Sequence, residues 1–214
     1  MTEERLRLIR TLVWALWGML LVMSILLFGW FYLRGRATSQ AVDLPVYKSV
    51  GDFSLTNRDG TTVTPGELSG KPYVADFIFT TCPGVCPVLS RRMQELAALV
   101  PPGEINFVSI SVDPETDSPE VLQAYAARHE AKANWFFLTG GRDEVHRLVK
   151  DGFQLVLDDS AKQGTNPDIP EGREPIVHSN RFVLVDGDGR IRGYYNAFDE
   201  EELEQLLVDL SQLL

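Results

Sequence analysis

Residues 72–87 read PYVADFIFTTCPGVCP. The first nine of them, 72–80, form an apolar, β-rich run bounded by Gly70 on one side and a cysteine turn on the other, which predicts a buried central strand. Beyond Pro87 the apolar positions Val88, Leu89, Met93, Leu96, Ala97 and Val100 recur at helical spacing until Pro101, Pro102 and Gly103 stop the pattern. The only two cysteines of the chain, Cys82 and Cys86, therefore fall at a strand-to-helix junction.

Working outward, residues 105–112, INFVSISV, read as a second buried strand. Asp117 or Ser118 can cap a helix that has Pro119 at its first position and runs to about His129. Residues 135–138 give a short third strand, 142–152 a helix and 154–157 a short strand. Residues 158–175 are polar and rich in Gly and Pro, the composition of a long surface loop. Two hairpins frame the domain. Residues 53–56 and 61–63 flank the turn NRDG at 57–60, and 181–186 and 190–195 flank GDG at 187–189, ahead of a helix over 199–213. On that helix Leu203, Leu206, Leu207 and Leu210 mark the core face. Alternating strands and helices with antiparallel ends predict an α/β fold, a mixed sheet with helices on both faces.

The chain has 214 residues, of which 44% are hydrophobic and 23% charged, close to globular averages. Its formal net charge is −10. Residues 1–36 carry five arginines against two glutamates, leaving 15 basic and 28 acidic residues beyond them, a balance of −13. So acidic a surface repels phosphate backbones, and no nucleic-acid partner is expected. Residues 11–33 hold 23 consecutive uncharged residues, which as a helix would extend about 34 Å against a hydrocarbon core of about 30 Å. Trp14, Trp17, Trp30, Phe31 and Tyr32 lie toward its two ends, at headgroup level for a spanning helix. The run is too long for the apolar part of a cleaved signal peptide, and 37–41 is a poor cleavage site. The expectation is a tail and single membrane anchor at 1–36, a linker at 37–50 and one domain at 51–214. Arginines alone orient the anchor weakly, with three before it and two after it.

At a helix N-terminus, unsatisfied N–H groups and the positive end of the dipole stabilise a thiolate or a thiolate-bound ion. If the helix begins at the second cysteine, Cys82 and Cys86, at i and i+4, can turn their sulfurs toward one atom. A plain structural disulfide is the competing reading, but a bridge over so short a loop constrains little of the unfolded chain. Zinc fits poorly, since a structural site wants four protein ligands. Two soft thiolates with one imidazole suit copper, as Cu(I) or Cu(II). Of the three histidines, His129 ends one predicted helix and His146 sits inside another, as ordinary surface or packed residues do. His178 follows the long loop and precedes the strand at 181. If that strand runs antiparallel beside 72–80, its entry lies near the cysteine turn, and His178 is either a third ligand or a loop histidine.

Three ordered blocks, FTTCPGVCP at 79–87, SVDPETDSPEVLQAY at 111–125 and VHSNRFVLVDGDG at 177–189, resemble the Sco (SenC) family of copper-binding, thioredoxin-fold proteins that help build the copper centre of cytochrome c oxidase. The resemblance spans about 51–210. It implies a thioredoxin-like fold, copper bound by Cys82, Cys86 and His178, and delivery to the copper-bearing oxidase subunit. Other periplasmic copper carriers or thiol reductants are the further partners it implies. Asp113 and Asp117 match acidic positions near the family's site. By local chemistry Asp117 reads first as a helix cap and Asp113, ahead of Pro114, as a turn residue or a contributor to the site. Many relatives carry an aspartate directly before the histidine where this chain has Val177. The resemblance further implies a bacterial inner membrane, with the N-terminus cytoplasmic and the domain periplasmic. The alternative function is a thiol-disulfide reductase keeping an oxidase subunit's cysteines reduced, one sulfur attacking and the other resolving. Three residues between the cysteines, rather than two, and His178-Ser179-Asn180 in place of a proline ahead of 181 favour copper. Peroxide reduction ranks last, because the proline and threonine pattern ahead of a peroxidatic cysteine is missing.

Overall fold

A computed structural model of the chain describes residues 3–37, 44–155 and 179–214. They fall into two units, 1–43 and 44–214. The first contains helix α1 (Glu3–Ala37). Its segment Leu12–Gly29, with a mean hydropathy of 2.3, is long and apolar enough to cross a membrane.

The second unit is built on one eight-stranded sheet. Its strands in chain order are β1 (Lys48–Ser49), β2 (Leu55–Asn57), β3 (Thr62–Val63), β4 (Tyr73–Ile78), β5 (Asn106–Ser111), β6 (Trp135–Thr139), β7 (Arg181–Val185) and β8 (Arg190–Asn196). They lie in the spatial order β1-β8-β7-β4-β5-β6-β2-β3. β4, β5 and β6 are parallel neighbours, and every other pairing is antiparallel, so the sheet is mixed as the sequence pattern predicts. Every residue of β4 and β5 is buried. That is the condition under which strands read as continuous apolar runs rather than alternating ones.

The connecting helices are α2 (Pro65–Leu68), α3 (Val85–Leu99), α4 (Pro119–Arg128), α5 (Arg142–Arg147) and α6 (Glu200–Ser211). α3 buries Cys86, Leu89, Ser90, Met93 and Leu96, and α4 buries Leu122, Tyr125 and Ala126. Asp199 caps α6 by accepting from the N–H groups of Glu201 and Glu202. The helix expected over 142–152 changes character midway, because α5 passes into a π-helical turn over Leu148–Gly152. That turn delivers Phe153 edge-on to Phe77 of β4, with ring centroids 5.0 Å apart. Residues 154 and 155 are not in a strand, and Gln154 has a φ of +53° that breaks extended geometry. The rest of that expected strand and the loop at 158–175 lie outside the described residues.

The domain also begins earlier than the sequence boundary at 51. Leu44 and Val50 are buried, and β1 pairs with β8. The buried Arg192 guanidinium donates through Nη2 to the Leu44 carbonyl at 2.6 Å and through Nη1 to Asp186 Oδ2 at 2.9 Å. Residues 44–50 thus belong to the second unit, and 48–49 form the sheet's edge.

Candidate metal and thiol site

β4 ends at Ile78, in the middle of the sheet, and the chain turns over residues 79–84 into α3. The turn is fixed from both sides. Cys82 N–H donates to the Phe79 carbonyl at 3.1 Å, and Val112 N–H extends the β4/β5 ladder by donating to Ile78 O at 2.9 Å. Asp117, fully buried, clamps the stretch between them. Its carboxylate accepts from Thr80 N–H at 3.1 Å and Thr80 Oγ1–H at 2.5 Å, and from Ser111 Oγ–H at 2.6 Å. Asp117 is therefore not the cap of α4. Ser118 is, accepting from Val121 N–H at 3.4 Å. The sequence leaves the choice between neighbours open, and tertiary hydrogen bonding decides it. Asp113 is partly exposed and holds a tight turn through its backbone. Its N–H donates to Ser111 Oγ, and its carbonyl accepts from Asp117 N–H at 2.9 Å.

α3 opens at Val85, so Cys86 lies in its first turn and Cys82 just ahead of it. Both thiols are free and buried, 6% and 3% exposed. Cys86 N–H points at Cys82 Sγ, 3.4 Å away. Burial opposes ionisation of Cys82, but the backbone N–H groups of Cys86, Gly84 and Val85 favour its thiolate, and the balance holds its pKa below the ordinary thiol value. Cys86 goes the other way: burial pushes its thiol far up, and the charges of Cys82 and Asp76 add to the rise. One helix end thus holds a reactive sulfur and a protected one. At about pH 7, Cys82 is expected to be alkylated by iodoacetamide before Cys86, because the thiolate is the nucleophile. Peptide mass mapping of partly modified protein reads the order, and a reversed order would contradict the asymmetry.

Asp76, which the sequence pattern does not single out, is near enough for its charge to add to the rise of the Cys86 thiol. It sits in β4, fully buried, and neither carboxylate oxygen has a hydrogen-bond partner. Desolvation pushes its pKa up to about 7, against a smaller opposing pull from Ser109, its register partner on β5. The Ser109 hydroxyl itself accepts from Trp135 Nε1 at 2.9 Å. The readable signal was a lone carboxylate inside an otherwise apolar, fully buried strand.

His178 lies outside the described residues. The strand after it, β7, does pair antiparallel with β4, with Ala75 opposite Val183 and Tyr73 opposite Val185. β7 therefore starts at the end of the sheet where β4 runs into the cysteine turn. His129 packs its ring against Tyr125, centroids 4.6 Å apart, and His146 is in α5. Among the described residues no group of three or more His, Cys, Asp and Glu is placed to hold a metal ion. What the described residues offer is two free, buried thiols one helical turn apart in sequence, of a chemistry that suits a soft cation.

A family model described as SCO1/SenC matches residues 43–214. The chain belongs to the SCO1/SenC family. Among its SCO1/SenC relatives is the SCO1 protein homolog of Bacillus subtilis (strain 168), 30% identical over 175 residues, which cover 80% of this chain and 86% of that one. The structure is similar to that of BsSco, described as a member of the Sco family of cytochrome c oxidase assembly proteins with a disulfide switch. The TM-score is 0.65 and the identity 29%, covering 81% of this chain and 98% of that one. It is also similar to Bradyrhizobium japonicum ScoI with copper bound, with a TM-score of 0.56 and 26% identity over 78% of this chain and 100% of that one. The mixed sheet flanked by helices is the thioredoxin-like fold of SCO1/SenC structures, and the SCO1/SenC match begins one residue before the second unit does.

Proposed function

We propose that this chain is a membrane-anchored copper chaperone that binds copper through Cys82, Cys86 and His178 and delivers it to the copper-bearing subunit of cytochrome c oxidase. The observation that carries the reading is the pair of buried thiols at the N-terminal turn of α3, with one backbone N–H already aimed at the first sulfur. Copper bound to a relative with 26% identity, and the assembly role named for BsSco, support it. The cation is cargo, held by soft thiolates strong enough to select it and exchangeable enough to pass it on. Asp117 serves by fixing Thr80 and hence the approach to Cys82. The N-terminal helix holds the domain at a bacterial inner membrane, with the N-terminus cytoplasmic and the domain periplasmic. Other periplasmic copper carriers or thiol reductants load or reduce the pair.

Titrating the reduced full chain in detergent micelles with Cu(I) and Cu(II) tests this. One equivalent should bind. Cys82→Ser or Cys86→Ser should weaken Cu(I) at least about a hundredfold, ~2.7 kcal/mol, and His178→Ala should weaken Cu(II) more than Cu(I). Unchanged affinity in both serine variants would overturn the proposal. A thiol-disulfide reductase is the second reading, favoured by the opposite displacement of the two thiol pKa values. Turnover of a protein disulfide by a chain that ignores copper would establish it instead.

A further inference from the structure

Tyr73 opens β4 at the end of the strand away from the thiols, about 17 Å of extended chain before Ile78. It is 3% exposed, yet its hydroxyl makes no hydrogen bond to any described residue and is not among the polar atoms sealed from solvent. Buried tyrosines ordinarily give that hydroxyl a partner. The opening left to it is a cavity of about 310 Å³ that Tyr73 lines, toward the low end of the ~300–1,000 Å³ of small-molecule sites. The floor is apolar and buried, made by Val50, Phe53 and Leu68, and the rim is polar and exposed, with Ser49, Asp52, Ser69 and Asp188. Two walls are fastened to one turn. Val50 N–H donates to Gly189 O and Gly70 N–H to Gly187 O, each at 2.9 Å, and a Cβ on Gly187 would come within 3.1 Å of the Gly70 carbonyl carbon. The β7/β8 hairpin thus holds the segments around Val50 and Ser69 in place, and the cavity is formed before any ligand arrives. Charge narrows the occupant. No lysine, arginine or histidine is among the lining residues. Asp188 pairs with Arg190, and Asp186, whose charge reaches Tyr73, is held by Arg190 and Arg192. The Asp52 carboxylate has no ion pair or hydrogen bond among the described residues, so it is the lining acid left without a counter-charge.

We propose that this cavity binds a small amphipathic amine, a monocation with an apolar, ring-sized body and a hydrogen-bonding group at its far end. The body displaces water from Val50, Phe53 and Leu68, the ammonium group sits against Asp52, and the polar end meets Tyr73 Oη. An anion is disfavoured, because it would face Asp52 and Asp188 with no cation among the lining residues. A purely apolar ligand is disfavoured too, because it would cut the Tyr73 hydroxyl off from water and leave it unpaired. The site shares no residue with the thiol pair and stands independently of the copper reading.

Methyl NMR on the full chain in detergent micelles tests this, with tyramine as the probe and the methyl signals of Val50 and Leu68 as the readout. Tyramine should shift both and saturate a single site. Phenethylamine, which lacks the ring hydroxyl, should bind about three- to tenfold more weakly, the worth of one hydrogen bond. The anion para-hydroxyphenylacetate, which reverses the charge, should not bind in the same range. Tyr73→Phe should erase the preference for tyramine over phenethylamine. Asp52→Asn should weaken both amines and make the remaining binding insensitive to salt. Unchanged Leu122 methyl signals on α4 report an intact fold in both variants. Val50 and Leu68 signals that stay fixed at millimolar tyramine would show that the cavity holds only water and overturn the proposal. So would equal affinity for the three probes in the wild type, which needs no variant to fold, or a preference for tyramine that survives Tyr73→Phe.

Discussion

Asp117→Ala is expected to destabilise the domain by about 3–5 kcal/mol. Its buried carboxylate accepts from Thr80 N–H, Thr80 Oγ1 and Ser111 Oγ, and alanine would leave one buried donor on Ser111 and two half-buried ones on Thr80 without their acceptor, at about 1–3 kcal/mol each before relaxation. Two of them flank the exit of β4, so the loss falls on the segment that leads into Cys82. Urea unfolding of the full chain in micelles, followed by tyrosine and tryptophan fluorescence, gives the magnitude. Asp117→Asn keeps an acceptor oxygen and should cost about half as much. A loss below about 1 kcal/mol for the alanine variant would mean that water replaces the carboxylate and the clamp is not a clamp.

Asp76→Asn should do the reverse, raising stability at alkaline pH. The sign follows from proton linkage. The Asp76 pKa is raised in the folded domain to about 7 from an ordinary 3.8, so the folded state binds more protons than the unfolded chain between these values. Stability from this group is complete below the unfolded pKa and is lost as pH rises through the folded one. Across the window the loss is about 4 kcal/mol, at 1.36 kcal/mol per pH unit. The asparagine variant carries no such term, so its stability relative to wild type should climb from pH 4 to pH 8 by an amount of that order. Parallel unfolding curves at acid and alkaline pH check it. Equal dependence on pH in both proteins would show that Asp76 is solvated or paired after all.

The legible parts of the fold were those carried by local pattern. The runs at 72–80 and 105–112 contain β4 and β5, because strands buried on both faces are mostly apolar, with Asp76, Asn106, Ser109 and Ser111 as the buried polar exceptions. The turns NRDG and GDG mark the two hairpins, and Pro119 marks the start of α4. Features that depend on distant partners were not legible. Residues 44–50 look like linker until β8 supplies an edge for β1 and Arg192 reaches Leu44. The role of Asp117 depends on Thr80 and Ser111, brought to it by the parallel pairing of β4 with β5. Asp76 disappeared into the average hydrophobicity of its strand. At the site, the strand-to-helix placement of Cys82 and Cys86 was readable from the motif, whereas the opposite shifts of their pKa values depend on the burial of Cys86 and on the N–H groups that meet Cys82.

The order of the sheet has a consequence for the nascent chain. β4 gains its second neighbour only when β7, more than a hundred residues later, has been synthesised. Until then one flank of an apolar, β-prone strand is an open edge, the kind of template on which chains aggregate. The turn that leads to Cys82 follows directly on β4, so a growing chain carries both thiols ahead of the completed sheet.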